Sequence, residues 1–218
     1  LKQKGYIVFL QAMATFMYTE DELAEHIGTV NRTQPYAFYM VDSFSTMYRD
    51  DVIRMERFVL RHLDRDIMFG FHAHNNIQMA FSNVIAFLEN GDGRTLFVDG
   101  SIYGMGRGAG NVPMELLLEY ANKKLGGRYD EKELMRVFGR RMESIFKQYY
   151  WGYSFPYLLT ASKEMNSVYG WYMMTHGVTG LNELDRALDM IPEEVRYTLS
   201  KSAAEEAIKH VAEEGTND

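Results

Sequence analysis

Ile67-Met68-Phe69-Gly70-Phe71-His72-Ala73-His74-Asn75-Asn76 is the stretch that decides how this chain folds. A short apolar run ends in two imidazoles spaced two residues apart. Side chains alternate between faces along an extended strand, so His72 and His74 point the same way. One face carrying two neutral nitrogen donors can grip a divalent metal, and Asn76 follows where the chain turns into the next helix. At the level of this motif alone, two structural histidines remain the competing reading.

Working outward, the same grammar repeats. Gly5-Tyr6-Ile7-Val8-Phe9-Leu10 is a continuous apolar run of the kind shown by a strand buried on both faces. Thr19-Glu20-Asp21-Glu22 has the form of a capping box, and Leu23, Ala24, Ile27 and Val30 follow at near-helical spacing. Tyr36-Ala37-Phe38-Tyr39-Met40-Val41 is a second buried run, closed by Asp42-Ser43, and Asp50-Asp51 open a helix carrying Val52, Val59, Leu60 and Leu63. After the His-x-His strand, Ile77, Ala80, Phe81, Val84, Ile85 and Leu88 trace a third amphipathic helix. Thr95-Leu96-Phe97-Val98-Asp99 is a fourth strand, and Pro113 introduces the helix containing Leu116, Leu117 and Leu118.

Four strand-helix units at a period of about 30 residues imply parallel pairing with right-handed crossovers. The expected fold class is therefore α/β: the C-terminal half of a (β/α)8 TIM barrel over residues 1–125, followed by an α-helical domain over 126–218. Four parallel strands alone leave two edges and one face uncovered, so the other half is expected upstream of Leu1. An open flavodoxin-like sheet is the alternative; it fits less well because candidate site residues follow several strands instead of one switch point.

Composition narrows the function classes. A chain of 218 residues, 46% hydrophobic, can bury a real core. The net charge of −7, without any Lys/Arg run, argues against nucleic acid as a partner, because that affinity rests on neutralising phosphates. No apolar run reaches the roughly 20 residues of a membrane span, and no signal-peptide pattern opens the chain, so a cytoplasmic protein is expected. With no cysteine, any metal must be held by His, carboxylate, amide or water.

From Lys123 onward helical periods replace strands. Asp130-Glu131-Lys132-Glu133 starts a helix with Leu134, Val137, Phe138 and Ile145 on one side, and the aromatic segment from Tyr149 to Tyr157 breaks it. Two further helices follow, the last expected to fray at Gly215; most Met and aromatic residues here are read as packing. The loop Gly104-Met105-Gly106-Arg107-Gly108-Ala109-Gly110-Asn111 contains a G-x-G-x-x-A string, yet no further strand with an acidic end follows it. It reads better as a barrel-mouth loop whose glycines allow close backbone approach to an anion and whose Asn111 offers an amide oxygen.

His72-Ala73-His74-x-Asn76, Val98-Asp99-Gly100-Ser101 and the glycine loop ending in Asn111 together resemble the metal-dependent aldolase, lyase and synthase superfamily, HMG-CoA lyase-like and built on a TIM barrel. Within it, the 4-hydroxy-2-oxovalerate aldolase branch is most similar. The resemblance implies that the four strands are the fifth to eighth of the barrel and that the tail is a communication-type domain. It implies that His72, His74 and Asn111 hold Mn2+ or Mg2+, that Ser43 and Asn76 contact substrate, and that Tyr153 enters the site from the tail, with Tyr157 as the alternative. The implied reaction splits a 4-hydroxy-2-oxo acid into pyruvate and an aldehyde through a metal-stabilised pyruvate enolate. A homo-oligomer and an acylating aldehyde dehydrogenase partner are implied as well. The family's first-strand motif, with its aspartate, arginine and histidine, is absent, as is a serine or threonine near Met13, so the fragment alone is expected to be inactive. Two other readings stay open: an acyl-CoA-dependent synthase or lyase of the same superfamily, and a non-catalytic partner-binding fragment.

Overall fold

The computed structural model describes residues 1–215. Four strands, β1 (Phe9–Ala12), β2 (Ala37–Asp42), β3 (Met68–Ala73) and β4 (Leu96–Val98), form one parallel sheet in the order β1-β2-β3-β4. Helices α1 (Glu20–Thr33), α2 (Arg49–His62) and α3 (Ala80–Asn90) connect them, and α4 (Met114–Lys124) follows β4. Every strand thus returns to the same end of the sheet, which gathers the loops after β2, β3 and β4 into one place.

Local chemistry fixes the helix starts. The Thr19 hydroxyl accepts from Glu22 N–H at 3.3 Å while the Glu22 carboxylate accepts from Thr19 N–H at 2.9 Å, the reciprocal box read from the sequence. The Asp51 carboxylate likewise accepts from Tyr48 N–H at 3.0 Å at the head of α2. Helix α3 begins at Ala80, three residues beyond Ile77, because Asn75 first closes a turn: its carbonyl accepts from Gln78 N–H and its side-chain oxygen from Ala80 N–H.

The two faces of the sheet differ. Phe38 and Met40 of β2 and Phe69, Phe71 and Ala73 of β3 point into a core with Leu23, Ile27 and Val30 of α1, Val52 and Val59 of α2, and Val84 and Phe87 of α3. Burying each large apolar side chain there stabilises the fold by about 1.5–3 kcal/mol. The opposite face carries Phe9, Tyr39 and Phe97, whose rings pack at centroid separations of 5.4–6.5 Å, with no helix of α1–α3 over them. Gly70 is required here: a β-carbon on it would overlap the Tyr39 ring.

The first strand departs from expectation. Pairing starts at Phe9 and runs to Ala12, and Tyr6 and Ile7 are 62% and 71% exposed instead of buried. As an edge strand β1 has β2 on one side alone, so an apolar run that looks doubly buried lacks a cover on one flank and one face.

Beyond α4 the chain is helical: α5 (Glu131–Val137), α6 (Glu143–Gln148), α7 (Phe155–Ser162), α8 (Val168–Thr175), α9 (Leu181–Asp189) and α10 (Lys201–Gly215). Asp130 caps α5 by accepting from Lys132 N–H, as its sequence suggests. The single helix expected to continue to Ile145 is instead interrupted by a π turn at residues 138–142. Helices α7–α10 enclose a second core built on Met165, Tyr169, Met173, Leu184 and Leu188. The buried Tyr169 hydroxyl sits 2.7 Å from the Val195 carbonyl and accepts from Ser200 N–H. Helix α10 runs as far as Gly215, where the sequence places its fraying, and the residues beyond lie outside the described ones. Among the described residues no helix is long and apolar enough to cross a membrane.

Candidate functional site

His72 and His74 do share a face, and their rings stand 4.9 Å apart at the C-terminal end of β3. His74 Nδ1 lies 2.9 Å from the Asp42 carbonyl, which can only accept, so that nitrogen carries the proton and Nε2 keeps its lone pair. His72 Nδ1 lies 2.9 Å from the Asp99 carboxylate, which imposes the same tautomer. Burial is the main cause holding the His74 imidazole below its usual pKa, with the charges of His72 and Arg107 adding to it and the Asp42 carbonyl opposing. A neutral ring with an open Nε2 is the form that binds a cation.

Asp99 is the hub beneath this pair. It also accepts from Gln11 Nε2 at 3.2 Å, tying β1 to β4 across the open face. Burial, then the Asp99 charge, raise the Tyr39 phenol well above its ordinary range, so it stays protonated. A carboxylate fixing a histidine from behind is the usual support of a metal-binding imidazole. Asp99 lies in the Val98-Asp99-Gly100-Ser101 motif, and its partnership with His72 comes from the β3–β4 register, which sets Phe71 against Val98.

Asp42 shapes the other wall. Its carboxylate, pushed up to about 7 chiefly by burial, is pulled back by N–H donors from Thr46 at 2.9 Å and Met47 at 3.3 Å. Those bonds curl the loop after β2 so that Ser43 and Phe44 face a cleft of about 300 Å³ together with His72, His74, Arg107 and Asn111. The Ser43 oxygen accepts from Ala14 N–H at 2.7 Å, leaving its own proton for a ligand.

The glycine loop closes the rim. Gly110 (φ 92°) and Gly108 (φ 64°) occupy the left-handed region, and a β-carbon on Gly110 would overlap the Gly104 carbonyl. Asn111 lines the cleft, bridges to the His74 backbone and anchors its amide nitrogen on the Met105 carbonyl at 3.2 Å, which leaves its side-chain oxygen as the available donor atom. Asn76 takes a different role from the expected substrate contact. It is 2% exposed, accepts from Ala109 N–H at 2.9 Å and donates to the Phe44 carbonyl, so it braces the loop from beneath.

The helical tail does reach the cleft, though through other residues than expected. Tyr153 is 45% exposed, stands 6.2 Å from Phe155 and is absent from the cleft wall. Tyr157 is half-buried and also absent from that wall, its phenol raised by burial. Asn166, Ser167 and Tyr197 line the cleft instead, with the Tyr197 ring stacked on Phe44 at 5.5 Å. No local sequence signal marks these three; tertiary packing alone brings them there.

As a cation site this donor set is partial but fitting. Two Nε2 lone pairs, each backed by a fixed Nδ1 partner, and one amide oxygen suit a divalent ion with positions left for a chelating oxyacid and water. Among the described residues no three His, Cys, Asp or Glu side chains cluster as a complete metal cage.

The fold and much of the sequence have counterparts among known proteins. The 4-hydroxy-2-oxovalerate aldolase of Thermomicrobium roseum is 37% identical over 111 residues, 51% of this chain and 30% of that protein. The oxaloacetate decarboxylase of Mycobacterium tuberculosis is 32% identical over 137 residues, 63% of this chain and 39% of that protein. The chain thus spans about a third of the length of these curated relatives. Among solved structures, the N-terminal domain of a candidate aldolase from Bacteroides vulgatus superposes with a TM-score of 0.71 at 28% identity, over 85% of this chain and 59% of that one. The carboxyl transferase domain of Rhizobium etli pyruvate carboxylase superposes with a TM-score of 0.61 over 96% of this chain and 36% of that one; at 13% identity it speaks for the fold alone. The HMGL-like family model matches residues 2–137, which hold the entire sheet, its helices and the histidine pair, and the chain belongs to the HMGL-like family.

Proposed function

We propose that this chain forms the metal-binding half of a divalent-cation-dependent carbon–carbon lyase that cleaves a 4-hydroxy-2-oxo acid to pyruvate and an aldehyde. The observation that carries the reading is the histidine pair with both Nδ1 atoms committed and both Nε2 atoms open at the strand ends, over a polar cleft. His72, His74 and Asn111 would hold Mn2+ or Mg2+, with Mn2+ the better match to two imidazoles. Bound there, the cation supplies Lewis-acid stabilisation of the negative charge that develops on the 2-oxo oxygen.

The chain's own residues do the rest of what this half contributes. Asp99 keeps His72 in the metal-binding tautomer and stabilises its position as charge builds. Ser43 donates its hydroxyl proton to the substrate carboxylate while its lone pair stays on Ala14 N–H. The cleft faces the C-terminal strand ends, where barrels place catalysis. We read the uncovered sheet face, with Phe9, Tyr39 and Phe97, as the interior of a closed barrel whose remaining strands also bring the base that removes the 4-hydroxyl proton. An acyl-CoA-dependent lyase of the same family differs by a strict thioester requirement. A homo-oligomer and a dehydrogenase partner that receives the aldehyde remain part of the proposal.

His72→Ala and His74→Ala in the full-length protein test it. Each is expected to weaken Mn2+ binding, measured by calorimetry, at least about 100-fold and to remove turnover without unfolding the chain, since each deletes a direct ligand. Wild-type Mn2+ affinity in both variants would overturn the reading.

A further inference from the structure

The helical tail clamps the start of the glycine loop from behind. Trp151 is 8% exposed, and its indole N–H donates to the Tyr103 carbonyl at 2.8 Å, across 48 residues of sequence. Tyr103 sits in the turn Ile102–Gly104, just ahead of the loop that ends in Asn111. Its backbone is left-handed (φ 55°, ψ 28°), a region unfavourable for a residue with a β-carbon, so other contacts must hold it there. Its N–H donates to the Glu115 carboxylate of α4 at 2.9 Å, and the next N–H, that of Gly104, donates to the Ser101 carbonyl at 3.0 Å. The side chain is confined less well. The Phe138 and Phe146 ring centroids stand 4.4 and 5.1 Å from its own, but Tyr103 is 47% exposed and borders an apolar cavity of about 250 Å³ with Ile102, Leu134 and Met135. Hydrogen bonds to the peptide, more than packing of the ring, therefore fix Tyr103, and Trp151 supplies the one that comes from the tail.

The candidate metal ligand rests on that same peptide. The Gly104 carbonyl accepts from Asn111 N–H at 3.0 Å, and the Met105 carbonyl accepts from the Asn111 side-chain nitrogen at 3.2 Å. Main chain and side chain of Asn111 thus both lean on the two residues that follow Tyr103, and the side-chain oxygen is aimed by what holds its nitrogen. Contacts run without a gap from Trp151 through the planar Tyr103–Gly104 peptide to Asn111. We propose that Trp151 is a positioning residue for the cation site: its indole N–H holds the Tyr103–Gly104 peptide, that peptide sets the Asn111 oxygen, and docking of the tail is thereby coupled to cation binding. This rests on the metal reading of the cleft. It gives the tail a second task there, besides supplying Asn166, Ser167 and Tyr197 to the wall. Such coupling is reciprocal: whatever the docked tail adds to cation affinity, the bound cation adds to tail docking.

A double-mutant cycle on Mn2+ affinity, measured by calorimetry with the full-length protein, tests this. Trp151→Phe keeps an aromatic ring next to Phe146, whose centroid is 4.8 Å from the indole, and deletes only the N–H donor. It should weaken Mn2+ binding about 2- to 10-fold, the equivalent of one neutral hydrogen bond, and the same change in an Asn111→Ala background should have no effect. Without any metal, amide hydrogen exchange at Gly104 and Asn111 should quicken in Trp151→Phe, because both N–H groups are bonded within the clamped turn. Unchanged Mn2+ affinity, or unchanged exchange at both amides, overturns the inference. A loss of affinity that is equal in the two backgrounds overturns it as well, since Trp151 would then support the fold without acting through Asn111. A wild type that binds no Mn2+ defeats the metal reading of the cleft and takes the coupling with it, whatever the exchange shows.

Discussion

The two faces of the four-stranded sheet are made of the same residue types and do opposite work. On the helix-covered face, Phe38, Phe69, Phe71 and Phe87 are fully buried and pack ring on ring, with Phe69 5.2 Å from Phe87 and 6.4 Å from Phe38. On the open face, Phe9, Tyr39 and Phe97 pack as closely but lead, at the strand ends, into Gln11, Asp99, His72 and His74. One face anchors the fold and the other positions a polar network on a rigid floor. The period-two alternation of each strand is what allows a single sheet to do both.

Truncating one aromatic on each face gives the largest expected effect. Phe69→Ala should cost about 3–5 kcal/mol in chemical denaturation, since a fully buried ring leaves a cavity between Phe38 and Phe87. Phe97→Ala, on a half-buried ring, should cost less than half as much in the same 218-residue chain. Equal losses would mean that the open face is as much a core as the covered one.

That contrast marks where the sequence was readable. The strand period put His72 and His74 on one face, and the capping box at Thr19 and Glu22 placed the start of α1, because both depend on neighbours a few residues away. The full apolar run at Tyr6 to Leu10 suggested double burial, but composition does not say which flank has a partner, and the edge strand left Tyr6 and Ile7 exposed. The helical tail was legible as a packing unit, yet its contribution to the cleft was not. The resemblance pointed to Tyr153, whereas Asn166, Ser167 and Tyr197 reach the wall through contacts between segments far apart in sequence. Asn76 illustrates the same limit: the motif placed it beside the histidines, and only the fold shows that its amide is spent on Phe44 and Ala109.

A smaller effect is expected from the network under the histidines. Asp99→Asn keeps the size of the side chain but removes the charge that fixes His72 in its tautomer. In the full-length protein it should weaken Mn2+ affinity by about 10- to 100-fold, the usual range for a carboxylate behind a ligating histidine. Thermal stability should move far less than in Phe69→Ala. An Asp99→Asn protein with unchanged Mn2+ affinity and a large loss of stability would make Asp99 a structural tie between β1 and β4 instead.

The smallest effect tests whether the covered side is wholly apolar in behaviour. Glu56, on the inner side of α2, is fully buried, and neither carboxyl oxygen has a hydrogen-bond partner among the described residues. Burial pushes its pKa up to about 8, with the Arg57 charge opposing and Asp92 adding to the rise. The folded state therefore holds this proton over a range where the unfolded chain, near 4.5, has released it. Its contribution to stability is greatest at low pH, declines as pH climbs from about 4.5 toward 8, and is constant above that. The steepest decline one such group can cause is about 1.4 kcal/mol per pH unit. Glu56→Gln, which carries no charge to release, should flatten this limb, so the wild-type-minus-variant difference in unfolding free energy should fall between pH 6 and pH 7. Asp42 titrates in the same region but is present in both proteins, and it cancels in that difference. A difference that stays level across this window would mean that water or a rearranged cation reaches Glu56, and that the helix side of the sheet is less closed than its aromatic packing indicates.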